Sequence, residues 1–169
     1  MSSPQPDSID LERFLPYRLS VLSNVVSTAI ADAYRRRFGL TVPEWRVIAV
    51  LTRHPGISAA EVAGHTRMDA VAVSRAVSRL LRAGRLRRSV SPNDRRRSVL
   101  SVSAAGIAVY REVAPLALRF ERELLEGLSV AQRAALDRAL GTLMERAQAL
   151  AGTLQPGPAS ARRRSRLVD

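Results

Sequence analysis

The stretch 68–102, MDAVAVSRAVSRLLRAGRLRRSVSPNDRRRSVLSV, changes its hydrophobic period once, at Gly84. Before the glycine, Val73, Val77, Leu80 and Leu81 recur at three- and four-residue spacing, which sets them on one face of a helix. Ser74, Arg75, Ser78, Arg79 and Arg82 fall on the other face, and Val71, Arg75 and Arg79 form one stripe along it. Asp69 is placed to cap this helix, because a short carboxylate accepts from the orphan N–H groups of a first turn. After the glycine the pattern alternates. Leu86 to Val90 reads as a strand, Ser91 to Asp94 as a turn cluster, and Ser98 to Val102 as the returning strand. The expectation is a helix with an aliphatic back and an arginine–serine front, then a hairpin whose tip carries Arg95, Arg96 and Arg97.

Upstream, two helix starts carry the capping-box pattern, Thr41 with Glu44 and Ser58 with Glu61. The first opens a helix with Pro43 in its first turn, running to about Arg53 and stopped by Pro55 and Gly56. The second opens a helix from Ala59 to about His65. Before them, Leu19, Leu22, Val25, Val26, Ala29, Ile30 and Ala33 mark a long helix from Pro16 to Arg37, ended by Gly39. Downstream, a long helix begins after Ser103, should kink at Pro115 and ends at Gly127 near Leu128. Ser129 with Gln132 caps a last helix, about Val130 to Ala151, bearing Leu136, Leu140, Leu143 and Leu150. Residues 1–8, with two Pro and three Ser, and the tail 153–169 are expected to be disordered. Residues 40–103 form one candidate domain, flanked by helical regions 9–39 and 104–152.

The 169 residues include 27 basic ones, all Arg, against 15 acids, a net charge of +12. The charge is concentrated. Residues 67–97 hold ten Arg and two acids, a net of +8, and residues 162–169 hold a net of +3. A local positive field on a balanced body suits a polyanion partner, although a solvated arginine face would account for the charge as well. The order of elements decides between them. Three helices followed by a two-stranded hairpin, from Pro43 to Val102, is the winged helix-turn-helix plan. In that plan the arginines of the third helix can bond guanine edges and Val71 can touch a thymine methyl. The basic tip would lie at the adjacent minor groove. The candidate contacts with double-stranded DNA are therefore Val71, Ser74, Arg75, Ser78, Arg79, Arg82, Arg95, Arg96 and Arg97, with Asp94 an intramolecular partner that orients Arg96. A nonspecific architectural DNA-binding protein, driven by the basic segment and tail, is the alternative.

Composition excludes much else. There is no Cys, so no disulfide, thiolate metal site or cysteine redox switch. His54 and His65 sit in a loop and at a helix end and suggest no metal site. No nucleophile–base pair or phosphate-cradling glycine loop appears, so neither an enzyme nor a cofactor is expected. Neither a signal peptide nor an apolar run of membrane length is seen, which points to a cytoplasmic protein. Apolar residues make up 46% of the chain and aromatics 4%, so the core must be aliphatic.

Across about residues 14–150 the chain resembles the MarR family of bacterial transcription regulators. The family's wing signature, D-x-R, a strand and a small-residue turn, is matched by Asp94, Arg95 and Arg96, by Leu100 to Ser103 and by Gly106. Met68 to Arg75 is similar to the start of the family's recognition helix. Two positions depart from the pattern: Ala70, where many relatives carry a basic or hydroxyl residue, and Ser103, where Thr is commoner. The resemblance implies a mainly α fold with a minor α+β component, a winged helix-turn-helix with long N- and C-terminal dimerisation helices. It further implies a homodimer built from the first, fifth and sixth helices, acting as a repressor on a pseudo-palindromic operator. The apolar content of those helices independently requires a cover. In many such regulators a small aromatic acid binds between the dimer helices and the winged domain. Tyr17, Arg18, Trp45, Arg46 and Tyr110 are the candidate contacts here, with core packing the competing role for Trp45 and Tyr110, and a dimer salt bridge that for Arg18. The run Leu15 to Leu19 is similar to the branch tied to aromatic-acid catabolism and favours a hydroxylated aromatic acid.

Overall fold

The computed structural model describes residues 9–91, 94 and 96–153. The expected disorder of 1–8 and of the basic tail, and the expected roles of Pro92, Asn93 and Arg95, lie outside the described residues apart from Thr153, which ends the last helix. The elements run α1 (Leu15–Phe38), α2 (Val42–Arg53), α3 (Ala59–Thr66), α4 (Ala70–Arg82), β1 (Leu86–Val90), β2 (Ser98–Val102), α5 (Ala104–Leu124) and α6 (Val130–Thr153). This is the expected mainly α architecture with one small sheet.

Local chemistry explains where the helices begin. The Glu44 carboxylate accepts the Thr41 N–H at 2.7 Å, and the Thr41 hydroxyl accepts the Glu44 N–H at 3.5 Å. Ser58 with Glu61 and Ser129 with Gln132 repeat the reciprocal pair at their own helix starts. Asp69 caps α4 through Oδ1, which accepts the Val71 N–H at 2.7 Å. At the end of α1, Gly39 takes a left-handed φ of 62° and donates its N–H to the Arg35 carbonyl.

The chain forms two compact units, one ending at Glu121 and one beginning at Arg122. In the first unit α2, α3 and α4 bury Val47, Ile48, Leu51, Val62, Val73 and Val77 against one another. At roughly 1.5–3 kcal/mol for each fully buried aliphatic side chain, this cluster is the main stabiliser of the module. Leu86 and Leu100 close it from the hairpin, Ala31 and Tyr34 from α1, and Val109 and Val113 from α5. The core therefore extends past the 40–103 segment, because those α1 and α5 side chains complete it. The buried stripe of α4 is Val73, Ala76, Val77 and Leu80, while Leu81, expected on that face, is half-buried at its margin.

β1 and β2 pair antiparallel, Leu86 opposite Val102 and Val90 opposite Ser98. The loop before α3 joins them: Leu100 donates its N–H to the Ile57 carbonyl and accepts from the Gly56 N–H, both at 2.9 Å. The Ser103 hydroxyl donates to the Gly84 carbonyl at 2.6 Å and accepts the Gly106 N–H at 3.1 Å. A Cβ at Gly106 would stand 2.2 Å from the Arg85 carbonyl oxygen, so this close approach demands glycine. α5 runs through Pro115 but stops at Leu124, short of the expected end near Leu128. Three-residue turns, Glu126 to Glu123 and Leu128 to Leu125, carry the chain past Gly127, whose φ is 88°. In the second unit α6 leaves all its described side chains exposed. No helix among the described residues is long and apolar enough to cross a membrane.

Candidate nucleic-acid interface

α4 separates its two faces sharply. Val73, Val77 and Leu80 are each 1% exposed, whereas Ser74, Arg75, Ser78, Arg79 and Arg82 are all exposed and Val71 is 54% exposed. The dry back holds the helix in place, so the front is presented on a rigid support. Arg75 and Arg79 line a groove of about 350 Å³ with Thr41, Pro43, Ala72 and Ala76, at the start of α2. Among the described residues no acid forms an ion pair with Arg75, Arg79 or Arg82.

The hairpin tip is organised through its backbone. Asp94 Oδ1 accepts the Arg96 N–H at 2.9 Å, and its carbonyl accepts the Arg97 N–H at 2.9 Å. Asp94 thus bonds the Arg96 backbone, as in an Asx turn, and no ion pair joins the two side chains among the described residues. The Arg96 side chain is exposed. Arg97 is held differently: its guanidinium donates to the Glu61 carboxylate at 2.8 Å. Bonds from the Ser58 N–H, then from its hydroxyl and from Arg97, bring the Glu61 carboxyl down to about 2. In the sequence Glu61 is legible as a capping residue alone, since no local pattern links residues 36 positions apart. Arg87 and Arg88, which the sequence marks only as strand residues, extend the exposed basic surface along β1.

The five candidate effector contacts fall into two groups. Trp45 stacks on Tyr110, with centroids 5.6 Å apart and planes at 20°, and Tyr34 tilts against Trp45 at 5.9 Å. Arg46 donates to the Ser27 hydroxyl at 3.0 Å. Ser27, Ile30, Tyr34, Val42, Trp45 and Arg46 enclose a cavity of about 140 Å³. Burial pushes the Tyr34 phenol up to about 12, so it stands neutral beside Trp45. Tyr34 and Ser27 were not anticipated, although they lie seven residues apart on the same helical face. Tyr17 and Arg18 lie elsewhere, in a concavity of about 540 Å³ along the start of α1 with Leu15, Leu19 and Leu22. His54 and His65 stack at 4.4 Å, and no group of three or more His, Asp or Glu suited to a metal ion occurs among the described residues.

Three core-sharing helices, an exposed basic third helix and an anchored two-stranded hairpin define a winged helix-turn-helix protein. Residues 38–97 match the MarR family. The HTH-type transcriptional repressor Rv2887 of Mycobacterium tuberculosis is 28% identical over 131 residues, 77% of this chain and 91% of that one. The structure is similar to a MarR/EmrR family transcriptional regulator from Acinetobacter sp. ADP1, with a TM-score of 0.76 and 25% identity over 83% of this chain and 99% of that one. It shares its fold with BpsR of Bordetella bronchiseptica, at a TM-score of 0.71 and 21% identity over 81% of this chain and 97% of that one. The structure of that protein addresses regulation of its DNA binding by 6-hydroxynicotinic acid. The chain is similar to transcriptional regulators of the MarR family, which are not enzymes.

Proposed function

We propose that the protein is a ligand-responsive repressor that binds a pseudo-palindromic operator as a homodimer. α4 enters the major groove and the wing lies at the adjacent minor groove. The observation that carries this reading is the exposed arginine front of α4 on a buried back, with no ion pair to these arginines among the described residues. Arg75, Arg79 and Arg82 supply the guanine-seeking forks, Val71 an apolar contact for a thymine methyl, and Ser74 and Ser78 small hydrogen-bonding groups. Arg96 supplies the cation at the narrow groove.

Two further features support the remaining parts. Leu22 and Val25 on α1 are 53% and 61% exposed, and α6 exposes Leu136, Leu140 and Leu143, more apolar surface than a lone chain keeps in water. A second copy covers it. The Trp45–Tyr110 stack with Arg46 beside it offers aromatic faces and a guanidinium to a hydroxylated aromatic acid. The repressor named among its relatives, and the hydroxylated aromatic acid named for BpsR, agree with this reading. The site of action is the cytoplasm.

The test is titration of the full chain against DNA from the intergenic region upstream of its gene, in competition with unrelated duplex and at increasing salt. The expected result is one pseudo-palindrome bound at nanomolar order and a steep fall with salt. Equal affinity for all duplexes, lost on deleting residues 156–169, would instead establish a nonspecific architectural protein.

A further inference from the structure

We infer that Arg97 and Glu61 form a latch fixing the wing to the helix-turn-helix, so that Arg97 positions the wing while Arg96 carries its contact with DNA. This rests on the DNA-binding reading above and divides labour among adjacent arginines that sequence alone treats as equivalent. Arg97 precedes β2 by one residue, and Glu61 lies in the first turn of α3. The acceptor is already in place. The Ser58 N–H at 2.8 Å and the Ser58 hydroxyl at 2.7 Å hold the same carboxylate oxygen that Arg97 reaches at 2.8 Å. Forming the ion pair therefore costs little further side-chain freedom on the Glu61 side.

The latch extends an attachment that the backbone begins. Leu100 is hydrogen-bonded in both directions to the Gly56–Ile57 segment just before α3. Arg97 carries that attachment three residues closer to the tip. Its main chain is also the fixed base of the turn, accepting from the Ser91 N–H at 2.8 Å and donating to the Asp94 carbonyl at 2.9 Å. Arg96 forms no ion pair with an acid among the described residues and stands exposed. Its direction is set from below by Asp94 and from behind by the latch. Both latch side chains are about half exposed, so solvent weakens the tie and its effect is modest.

The test compares Glu61→Gln, Arg97→Ala, Arg97→Lys and the double variant Glu61→Gln/Arg97→Ala in the full chain. Glutamine keeps both bonds from Ser58 and removes the charge. The latch predicts that Glu61→Gln and Arg97→Ala each weaken operator binding about 2–5-fold, that the double variant is no weaker than either, and that lysine restores most of the loss. If Arg97 instead touches phosphate, Glu61→Gln binds as tightly as the parent or tighter, and Arg97→Ala lowers the salt slope by about 1. That outcome overturns the latch. A second readout needs no DNA. Amide hydrogen exchange at Arg97 and Leu100 should quicken in Glu61→Gln and in Arg97→Ala while the α2–α4 core keeps its protection, and unchanged exchange would overturn the latch even if no operator is found.

Discussion

α4 and α6 draw on the same residue types, Ala, Leu, Val and Arg at helical spacing, yet they end in opposite surroundings. In α4 the residues Val73, Val77 and Leu80 are each 1% exposed; in α6 the stripe Leu136, Leu140 and Leu143 stands 37–47% exposed. The winged module finishes its core within one chain and frees a polar face for a partner. α6 frees an apolar stripe. On the proposed reading the exposed front of α4 meets DNA and the exposed stripe of α6 meets a second copy of the chain.

The contrast can be broken most forcefully at the core. Leu80→Ala removes a fully buried side chain and should cost about 2–5 kcal/mol of unfolding free energy, read by denaturant titration. Leu140→Asp should leave the near-ultraviolet signature of the Trp45 cluster intact but convert the dimer to monomer in sedimentation, with operator binding falling alongside. If Leu140→Asp remains dimeric, the stripe on α6 is not what joins the copies. Next in size is the DNA face. Arg79→Ala should lose about 1–3 kcal/mol of operator binding and relax preference at one base pair per half-site, while leaving the melting temperature unchanged.

Smaller effects sharpen the comparison at the helix ends. Asp69→Ala removes the acceptor of the Val71 N–H and should cost about 1 kcal/mol of stability, measured by thermal melting. The smallest is a pH effect. The Glu61 carboxyl lies at about 2 against an ordinary 4.5, so its contribution is complete above pH 4.5 and lost as pH falls toward 2. Acid unfolding of Glu61→Gln should lack that component, giving a shallower decline of stability across this window.

Much of this was legible in the sequence because its signals are local. A change from helical to alternating period set both hairpin strands at their observed limits, and three capping boxes marked the starts of α2, α3 and α6. The exposed front of α4 follows from the same periodicity. What escaped depends on distance along the chain. Glu61 meets Arg97 across 36 residues, and the Arg85 guanidinium reaches the Phe38 carbonyl across 47, closing the end of α1 at 2.6 Å. Tyr34 joins Trp45 and Tyr110 only once α1, α2 and α5 share a core. Composition and spacing carry no record of such pairings, nor of Tyr17 and Arg18 lining a different concavity from Trp45 and Arg46.

Hydroxyl-radical footprinting of the full chain on its operator asks most directly whether two copies of α4 read one duplex. The expected pattern is two protected patches on the same face of the DNA, their centres one helical turn or roughly 34–36 Å apart, with both weakened by Arg79→Ala. Uniform protection without that spacing, unaltered by Arg79→Ala, would contradict the placement of α4 in the major groove.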